Sequence, residues 1–357
     1  MKNVLRGVGI MSGTSLDGLD LALCSFFEKD GGGYGFRLER CKGVNYSAEM
    51  RNALQHAVGL NGYNFIKLHR EFGKFIGQEV KLFLQDEVID VQFIASHGHT
   101  TFHEPWNNIS FQIGDGATIA SVAEITTVSD FRTYDIALGG EGAPLVPIGD
   151  MELFGEYDVC VNLGGFANLS YYSKEVDYKR IAFDVCPVNI VVNQLVRAIG
   201  LEFDDEGKIG KSGTVNASLL EALNNLSFYK KQAPKSLGQE WVTSDFMPVL
   251  GAFNIVLEDK IRTLYEHFAT QISRELNIHN TRKALFTGGG SRNIFLMDLI
   301  RQKSSGEVVI PDAQIVDFKE AIVFGFLGYL RLLNRPNCLA SVTGARRDNI
   351  GGVVHIV

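Results

Sequence analysis

The stretch VGIMSGTSLDGLDLALCSF, residues 8–26, decides the fold that this sequence predicts. Two apolar runs flank a turn rich in Gly, Thr, Ser and Asp, which is typical of two short strands joined by a tight turn. The turn would present the hydroxyls of Thr14 and Ser15 beside backbone N–H groups. Because glycine lets a bulky anion approach the main chain, such a turn can bind phosphate. An ordinary hairpin that binds no ligand explains this stretch, taken alone, about equally well.

A second copy of the pattern favours the first interpretation. Residues 159–172 read VCVNLGGFANLSYY, again a strand, a Gly164-Gly165 turn and a second strand. The two turns are separated by about 150 residues, roughly one domain length. We therefore predict an α/β protein of two related lobes, each with its own mixed β-sheet, which face each other across a central cleft.

Composition and charge limit the kind of protein this can be. A length of 357 residues favours two domains, and 45% hydrophobic with 21% charged residues is ordinary for a globular chain. The net charge of −7 argues against a nucleic-acid or acidic-membrane partner, since either would need a basic surface. The sequence contains neither the apolar run of a signal peptide nor one of membrane-spanning length. We expect a cytoplasmic protein.

The residues that could bind a metal ion do not form a recognisable site. The five cysteines are scattered and form no Cys-x-x-Cys pair, so neither a disulfide framework nor a zinc site is indicated. His97, His99 and His103 lie where an apolar strand ends in Ser96-His97-Gly98-His99 and runs into a polar loop, and open α/β sheets bind ligands at such strand ends. Their spacing fits no usual zinc site. We predict that they hydrogen-bond a sugar or serve the fold, and we assign no metal ligand.

Arg132 is a second candidate for ligand binding in the first lobe. It could hold a carboxylate through two parallel hydrogen bonds. An ordinary ion pair with a neighbouring acid, Asp130 or Asp135, explains it about as well. Both interpretations stay open on the sequence alone.

The boundary between the lobes is predicted from the run ALGGEGAPLVP at residues 137–147. Its three glycines followed by two prolines exclude a regular helix or strand. We assign residues 1–148 to the first lobe and 149–357 to the second, with the C-terminal helix as a candidate to return to the first.

Three further features complete the candidate site. Asp184 stands between an apolar strand and a helix led by Pro187, where it is either a helix N-cap or an acid facing the cleft. Glu320 is expected in the first turn of an apolar helix. Residues 284–300, ALFTGGGSRNIFLMDLI, place bare backbone that would admit an adenine or ribose between a strand and a helix. The residues concerned are Gly288, Gly289, Gly290 and Asn293.

Taken together, these motifs resemble the anhydro-N-acetylmuramic acid kinase family of the actin-like ATPase superfamily. The match runs nearly end to end and includes GIMSGTSLDGLD, SHG, QIGD, DFR, DIALGGEGAPLVP, NLGGFANLS, FD-x-x-P, PKS-x-G-x-E and TGGGSRN. The resemblance implies a two-lobed, ribonuclease H-like fold, ATP and Mg²⁺ as cofactors, and a homodimer. It also implies a reaction of peptidoglycan recycling, in which water opens the 1,6-anhydro ring and ATP phosphorylates the freed O6. The product would be N-acetylmuramic acid 6-phosphate.

The resemblance further implies a role for each matching residue. Asp184 would be the general base that activates water for attack at C1. The candidate sugar-site residues are His97, Arg132 and Glu320. The first phosphate loop would consist of Gly13, Thr14, Ser15, Asp17 and Gly18. The second phosphate loop would consist of Gly164, Gly165 and Asn168. The adenosine loop would consist of Gly288, Gly289, Gly290 and Asn293.

Some residues depart from the family pattern on the sugar side. The usual FDTGP is FDVCP here, so Val185 and Cys186 remove a hydroxyl and add bulk next to the candidate base. Glu141 adds a negative charge to the usual GGQGAPL, and His99 replaces a usual Gln. Two alternatives therefore stay open: a kinase of a different amino or acidic sugar, and an ATP-binding scaffold without turnover.

One departure concerns the metal ion. Many superfamily members carry a metal-binding Asp two residues before the first Gly-Thr, and this position is Met11 here. We therefore expect phosphate oxygens and water to hold most of the Mg²⁺ coordination, with Asp17 or Asp184 as candidate protein ligands.

Overall fold

The fold is that of a computed structural model of the chain, which describes residues 1–13, 16–85, 90–173, 179–233 and 235–357. Thr14 and Ser15, two of the predicted phosphate-loop residues, lie outside the described residues. Contacts divide the chain into two compact units. Unit 1 comprises Met1–Phe154 and Phe318–Val357, and unit 2 comprises Gly155–Asp317. Residues 149–154, which the sequence analysis assigned to the second lobe, group with unit 1.

Unit 1 is built on a seven-stranded mixed sheet. Its strands are β1 (Lys2–Ser12), β2 (Gly18–Glu28), β3 (Tyr34–Asn45), β4 (Phe93–Glu104), β5 (Ile109–Ile113), β6 (Thr127–Ser129) and β12 (Val353–His355). The first three form an antiparallel meander, and β4 lies parallel to β1 on its other side. Strand β6 continues the sheet parallel to β4, β12 pairs with β6, and β5 pairs with the distal part of β4.

The main helix of unit 1 is amphipathic. The helices are α1 (Ala48–Gln55), α2 (Gly62–Leu84), α3 (Gly116–Ala123), α4 (Thr133–Ala137), α5 (Pro147–Glu152), α13 (Ala313–Leu332), which begins in unit 2, and α14 (Ala340–Thr343). Helix α2 buries Leu68, Phe72 and Ile76 in the same core cluster as Val8 and Ile10 of β1. Apolar side chains three and four residues apart on one helix face produce this packing.

Unit 2 repeats the central topology of unit 1. Its strands are β7 (Val159–Leu163), β8 (Phe166–Ser173), β9 (Lys179–Pro187), β10 (Lys283–Thr287) and β11 (Glu307–Val309), in the order β11-β10-β7-β8-β9. Strands β7, β8 and β9 form an antiparallel meander, and β10 lies parallel to β7 as β4 lies parallel to β1. The predicted duplication of a mixed α/β unit is thereby confirmed.

The helices of unit 2 surround one large apolar core. They are α6 (Asn189–Arg197), α7 (Lys208–Ser212), α8 (Ala217–Asn224), α9 (Gln239–Trp241), α10 (Met247–Gly251), α11 (Leu257–Ile278) and α12 (Ile294–Lys303). Helix α11 contributes buried Leu264, Phe268 and Ile272 to the cluster that contains Val161 and Phe286 of the sheet. Within the parts of the chain that the structure describes, no helix is long and apolar enough to cross a membrane.

Two predicted element boundaries are wrong. Strand β4 does not end within residues 96–99 but runs on to Glu104, because β5 pairs with its distal half. It bends at Gly98, whose φ of +75° and close approach to the Ile113 carbonyl exclude a side chain. Glu320 does not lie in the first turn of its helix, because α13 begins at Ala313, after Asp312 accepts a hydrogen bond from the Ile315 N–H.

Candidate active site

The first glycine turn connects the carboxyl end of β1 to β2. Of the predicted phosphate-loop residues, Gly13 and the exposed Asp17 lie in the turn, and the Leu16 N–H donates to the Gly13 carbonyl at 3.3 Å. A Cβ on Gly18 would lie 2.2 Å from the Val44 carbonyl oxygen. Packing against β3 therefore explains the glycine at position 18 without a ligand.

A buried hydrogen-bonded chain supports the strand end that enters this turn. The Tyr46 hydroxyl donates to Ser12 Oγ at 2.6 Å, and Ser12 Oγ lies 3.2 Å from His99 Nδ1. Ser12, Tyr46 and His99 are each at most 5% exposed. Burial lowers the pKa of His99, so the ring is neutral and its Nδ1 can accept a hydrogen bond from the Ser12 hydroxyl. The sequence left two roles open for His99, hydrogen bonding to a sugar and stabilising the fold. This network favours the structural role.

His97 and Arg132, two of the predicted sugar-site residues, are in direct contact. Arg132 Nε and Nη2 lie 3.1 and 2.8 Å from His97 Nε2, and Arg132 Nη1 donates to the Gly142 carbonyl at 2.6 Å. His97 Nδ1 lies 2.8 Å from the Gly98 carbonyl, which can only accept. This network assigns the ring proton to Nδ1 and leaves the Nε2 lone pair to Arg132.

Electrostatics keep this pair in one protonation state. Burial and the charge of Arg132 hold the pKa of His97 well below its ordinary value, so the ring is neutral. Burial also lowers the pKa of Arg132 to about 10, which still leaves the guanidinium charged at neutral pH. A guanidinium has more N–H groups than these contacts use, so Arg132 can also donate to a ligand.

The predicted alternative, an ion pair between Arg132 and a neighbouring acid, is wrong for the described residues. Asp130 instead accepts from the Thr133 N–H. Asp135 is fully buried and accepts from the Gly142 N–H at 2.8 Å and from Thr343, Asn349 and Cys338. By holding the backbone at Gly142, Asp135 also fixes the carbonyl that receives Arg132.

Glu320 lies on α13 and shares the electrostatic environment of Arg132. Burial raises the pKa of Glu320, while Lys319 and Arg132 oppose that shift. None of the described residues donates a hydrogen bond to its carboxylate. The adjacent Lys319 is instead paired with Asp150 at 2.6 Å, and both side chains are buried. The three predicted sugar-site residues of unit 1 are thus connected: His97 contacts Arg132 directly, and Arg132 interacts electrostatically with Glu320.

The second glycine turn joins β7 to β8 at the carboxyl end of β7. The Gly165 carbonyl accepts from the N–H groups of Val188 and Ile190 at the start of α6, at 2.8 and 3.2 Å. A Cβ on Gly164 or Gly165 would meet no atom closer than 3.6 Å. Internal packing therefore does not require glycine at either position, unlike at Gly18.

The third glycine segment follows β10, at the same edge of the sheet. Gly288 has a φ of +82°, and a Cβ there would lie 2.5 Å from Asn162 Oδ1, so it must be glycine. A Cβ on Gly289 would meet no atom within 4 Å. Asn293 Oδ1 caps α12 by accepting from the Leu296 N–H at 2.9 Å. Capping therefore occupies the Asn293 oxygen, and the NH₂ group donates to the Tyr265 hydroxyl, which leaves one N–H for any other role.

A row of polar residues connects these features across four strands. Thr287 of β10 pairs with Asn162 of β7, Asn162 with Asn168 of β8, and Asn168 with Asp184 of β9. Directly paired residues project from the same face of a sheet. The side chains of Asp184, Asn168 and Thr287, the residue before Gly288, therefore lie on the same face of the sheet of unit 2.

Asp184 is a strand residue and not a helix N-cap, so that alternative is wrong. Val188 occupies the cap position of α6. The Asp184 N–H donates to the Lys235 carbonyl at 2.9 Å, and Asp184 Oδ2 accepts from the Leu237 N–H at 2.8 Å. Burial raises the pKa of Asp184, and the hydrogen bond from Leu237 opposes the shift. A carboxylate with a raised pKa is a stronger base than an exposed one.

The two residues that replace the usual Thr and Gly after this aspartate face the core. The pairing register shifts between Asp184 and Cys186, which leaves Val185 in a β-bulge. Val185 and Cys186 are 2% and 0% exposed and belong to the apolar cluster of unit 2. Burial raises the pKa of the Cys186 thiol, which disfavours the reactive thiolate. The added bulk therefore fills the interior of unit 2.

Metal coordination by side chains alone finds little support in the described ranges. They contain no group of three or more His, Cys, Asp and Glu side chains arranged to hold a metal ion.

Sequence reasoning missed three contributors to the site: the Leu237 N–H, the side chain of Asn162 and the buried carboxylate of Asp135. The motif PKS-x-G-x-E marked the loop that carries Leu237, but its pattern does not reveal which residue that loop contacts. Asp135 lies in the quoted motif DIALGGEGAPLVP, where its burial was not predictable from the neighbouring residues.

Comparisons with known proteins cover almost the whole chain. The family model described as "Anhydro-N-acetylmuramic acid kinase" matches residues 5–356. A protein of that name from Zymomonas mobilis is 32% identical, with 99% of this chain and 100% of that protein aligned. Another from Vibrio vulnificus is 33% identical, with 98% of this chain and 97% of that protein aligned.

Similar solved structures include two proteins crystallised with nucleotide analogues. One is an activator of 2-hydroxyisocaproyl-CoA dehydratase from Clostridium difficile with bound ADPNP, at 12% identity and a TM-score of 0.44 over 92% of this chain and 97% of that chain. The other is a ROK family glucokinase from Streptomyces griseus with glucose and AMPPNP, at 11% identity and a TM-score of 0.39 over 90% and 98%. Both similarities are distant.

Proposed function

The chain belongs to the anhydro-N-acetylmuramic acid kinase family, and from that membership we propose that it opens 1,6-anhydro-N-acetylmuramic acid with water and phosphorylates O6 at the expense of ATP. The products are N-acetylmuramic acid 6-phosphate and ADP, as peptidoglycan recycling requires. The carboxylate of Asp184 is the observation that carries the proposal. It is half-buried, its pKa is raised, and the Leu237 N–H holds it in place.

In the proposed reaction Asp184 acts as the general base. The water oxygen forms a bond to C1 while one water proton passes to the Asp184 carboxylate. The electron pair of the C1–O6 bond moves to O6, which bonds to the γ-phosphorus as ADP departs with the electrons of the old P–O bond. The proton on Asp184 then passes to solvent. Because O6 is phosphorylated as it leaves, no separate acid is needed to protonate it.

The cluster in unit 1 is proposed to bind the sugar. Muramic acid carries a carboxylate, and the unused N–H groups of Arg132 suit a bidentate contact with it. His97 would hold Arg132 in orientation and not contact the substrate through Nε2, since that atom already accepts from Arg132. Glu320, with its raised pKa, would hydrogen-bond a polar group of the sugar.

The glycine segments are proposed to bind ATP. Gly13 and Asp17, with Thr14 and Ser15, would form one phosphate loop, and Gly164, Gly165 and Asn168 the other. Gly288, Gly289, Gly290 and the NH₂ group of Asn293 would contact the adenosine. Open space beside Gly289, and the absence of a close contact that would require glycine at positions 164 and 165, support this assignment. When bound, Mg²⁺ would neutralise phosphate charge, with Asp17 as the candidate protein ligand, because Asp184 is assigned to the attacking water.

Assembly and location are also proposals. We propose that the two units correspond to the two lobes of the kinase, and that the enzyme works as a homodimer, as the family resemblance implies. A cytoplasmic location would give it access to ATP. Light scattering of the purified chain would test the dimer.

A coupled assay of ADP release over a panel of anhydro and reducing amino sugars tests the function. We expect turnover with 1,6-anhydro-N-acetylmuramic acid and no turnover by Asp184→Asn, which should still bind ATP. Turnover only with another sugar would replace the substrate. ATP binding without any sugar-dependent turnover would instead support the scaffold interpretation.

A further inference from the structure

We propose that residues 235–237 are the positioning element of the general base: they hold Oδ2 of Asp184 and leave Oδ1 as the atom that takes the proton from water. We call these residues the clamp loop. The inference rests on the proposed role of Asp184, and it adds which oxygen acts and which backbone group directs it.

The clamp loop grips Asp184 at two points. Strand β9 is the edge strand of its sheet, and the loop runs beside it. The Asp184 N–H donates to the Lys235 carbonyl at 2.9 Å, and the Leu237 N–H donates to Asp184 Oδ2 at 2.8 Å. The two bonds run in opposite directions and close a ring through the aspartate side chain. The carboxylate therefore cannot rotate without breaking the second bond.

Side chains anchor the clamp loop on either side of this ring. The Lys235 ammonium lies 4.9 Å from the ring centroid of Phe228 and 5.7 Å from that of Phe183, both within cation–π distance. The Leu237 side chain packs against the apolar core of unit 2. Because both anchors belong to the core of the unit, the Leu237 N–H is held in a fixed position.

The clamp makes the two carboxylate oxygens inequivalent. Oδ2 is hydrogen-bonded, whereas no residue in the described ranges donates to Oδ1. A proton arriving from water therefore has one acceptor atom in a fixed direction, which reduces the reorganisation needed in the transition state. The same hydrogen bond favours the ionised carboxylate and so offsets part of the effect of burial.

Removing the Leu237 N–H tests the inference directly. In Leu237→Pro we expect kcat to fall roughly 10- to 100-fold while KM for ATP changes less than about twofold. The acid limb of the pH–rate profile should move to higher pH, because Asp184 loses the hydrogen bond that lowers its pKa.

Two variants serve as controls for packing and for the proline ring. Leu237→Ala keeps the N–H and loses only the side chain, so its acid limb should stay at the wild-type pH. Ser236→Pro places the same ring one residue earlier, where no described residue accepts from the backbone N–H, and its acid limb should also stay. A shift in either control equal to that of Leu237→Pro would overturn the inference.

The outcomes separate this inference from the proposed function. Turnover by Asp184→Asn would refute the base assignment itself. If Asp184→Asn is inactive but the acid limb of Leu237→Pro stays at the wild-type pH, the positioning role of the clamp loop is refuted while the base assignment stands. Should Leu237→Pro fail to fold, replacing the amide at Leu237 by an ester removes the same N–H without a ring, and the shift of the acid limb then decides.

Discussion

The neutral imidazole of His97 determines what Arg132 is able to do. A protonated ring would present a second donor to the guanidinium and repel it, whereas the neutral ring accepts two of its N–H groups. Burial and the Arg132 charge both favour the neutral form. The remaining guanidinium N–H groups are thus oriented before any ligand arrives, which reduces the cost of binding.

Replacing His97 should weaken sugar binding more than catalysis. In His97→Phe we expect KM for the sugar to rise about tenfold, because Arg132 loses its acceptor, while KM for ATP stays unchanged. His97→Gln offers a carbonyl oxygen to Arg132 and should recover part of the loss. The control His56→Phe alters an exposed histidine at the end of α1, which contacts the Asn52 carbonyl, and should behave like wild type. Equal effects in both Phe variants would contradict a specific role for His97.

At the scale of the elements, the glycines of the three predicted nucleotide-binding segments are of two kinds: some are required by the protein's own backbone geometry and packing, and others are not. Backbone geometry and close contacts explain Gly288, whereas nothing in the described structure explains Gly289. The same distinction separates Gly18, whose Cβ would strike β3, from Gly165. A glycine that the protein's own packing does not require is the better position at which to test contact with a nucleotide, because its replacement should leave the fold intact.

Gly289→Ala should therefore affect nucleotide binding and leave the fold intact. We expect KM for ATP to rise about tenfold from steric conflict with the nucleotide, with the free energy of unfolding changed by less than about 0.5 kcal/mol. Gly62→Ala is the matched control, because a Cβ there also meets no atom within 4 Å but lies at the start of α2. Titration calorimetry with an ATP analogue and thermal unfolding of both variants would measure the two effects; unchanged ATP affinity in Gly289→Ala would argue against the adenosine-loop assignment.

For the whole molecule, the buried histidines dominate the expected response of stability to pH. Burial lowers the pKa of His267 to about 3 and also lowers the pKa values of His97 and His99. Each is neutral when folded and titrates near pH 6.5 when unfolded. The unfolded chain therefore binds more protons below that pH, so acid favours unfolding.

Stability should accordingly fall as the pH drops from 7 to 5. Each such histidine contributes a loss of up to about 1.4 kcal/mol per pH unit below its unfolded pKa. The raised pKa values of Asp184 and Glu320 act in the opposite direction, from the ordinary carboxyl range up to their raised values in the folded protein. Urea unfolding at intervals of half a pH unit would measure the slope, and a flat profile between pH 7 and 5 would contradict the burial of these rings.

The glycine turns, the long amphipathic helix α2 and the repeat of the sheet topology were predictable from local sequence patterns. These features depend on residues close together in the chain, whose apolar spacing and backbone freedom can be read directly. The continuation of β4 beyond His99 was not predictable, because it depends on pairing with β5. The early start of α13, which moves Glu320 away from the first turn, was missed for a local reason, the Asp312 cap.

Only the tertiary structure decided how the functional side chains are held. The Leu237 N–H that donates to Asp184 is more than fifty residues away in the sequence. Arg132 and its acceptor His97 are thirty-five residues apart. Such contacts depend on which strands become neighbours and on how deeply each group is buried, and burial in turn sets the pKa values. Residue type identified the candidates for this chemistry, while long-range packing determined their partners, their protonation and the oxygen that is left to act.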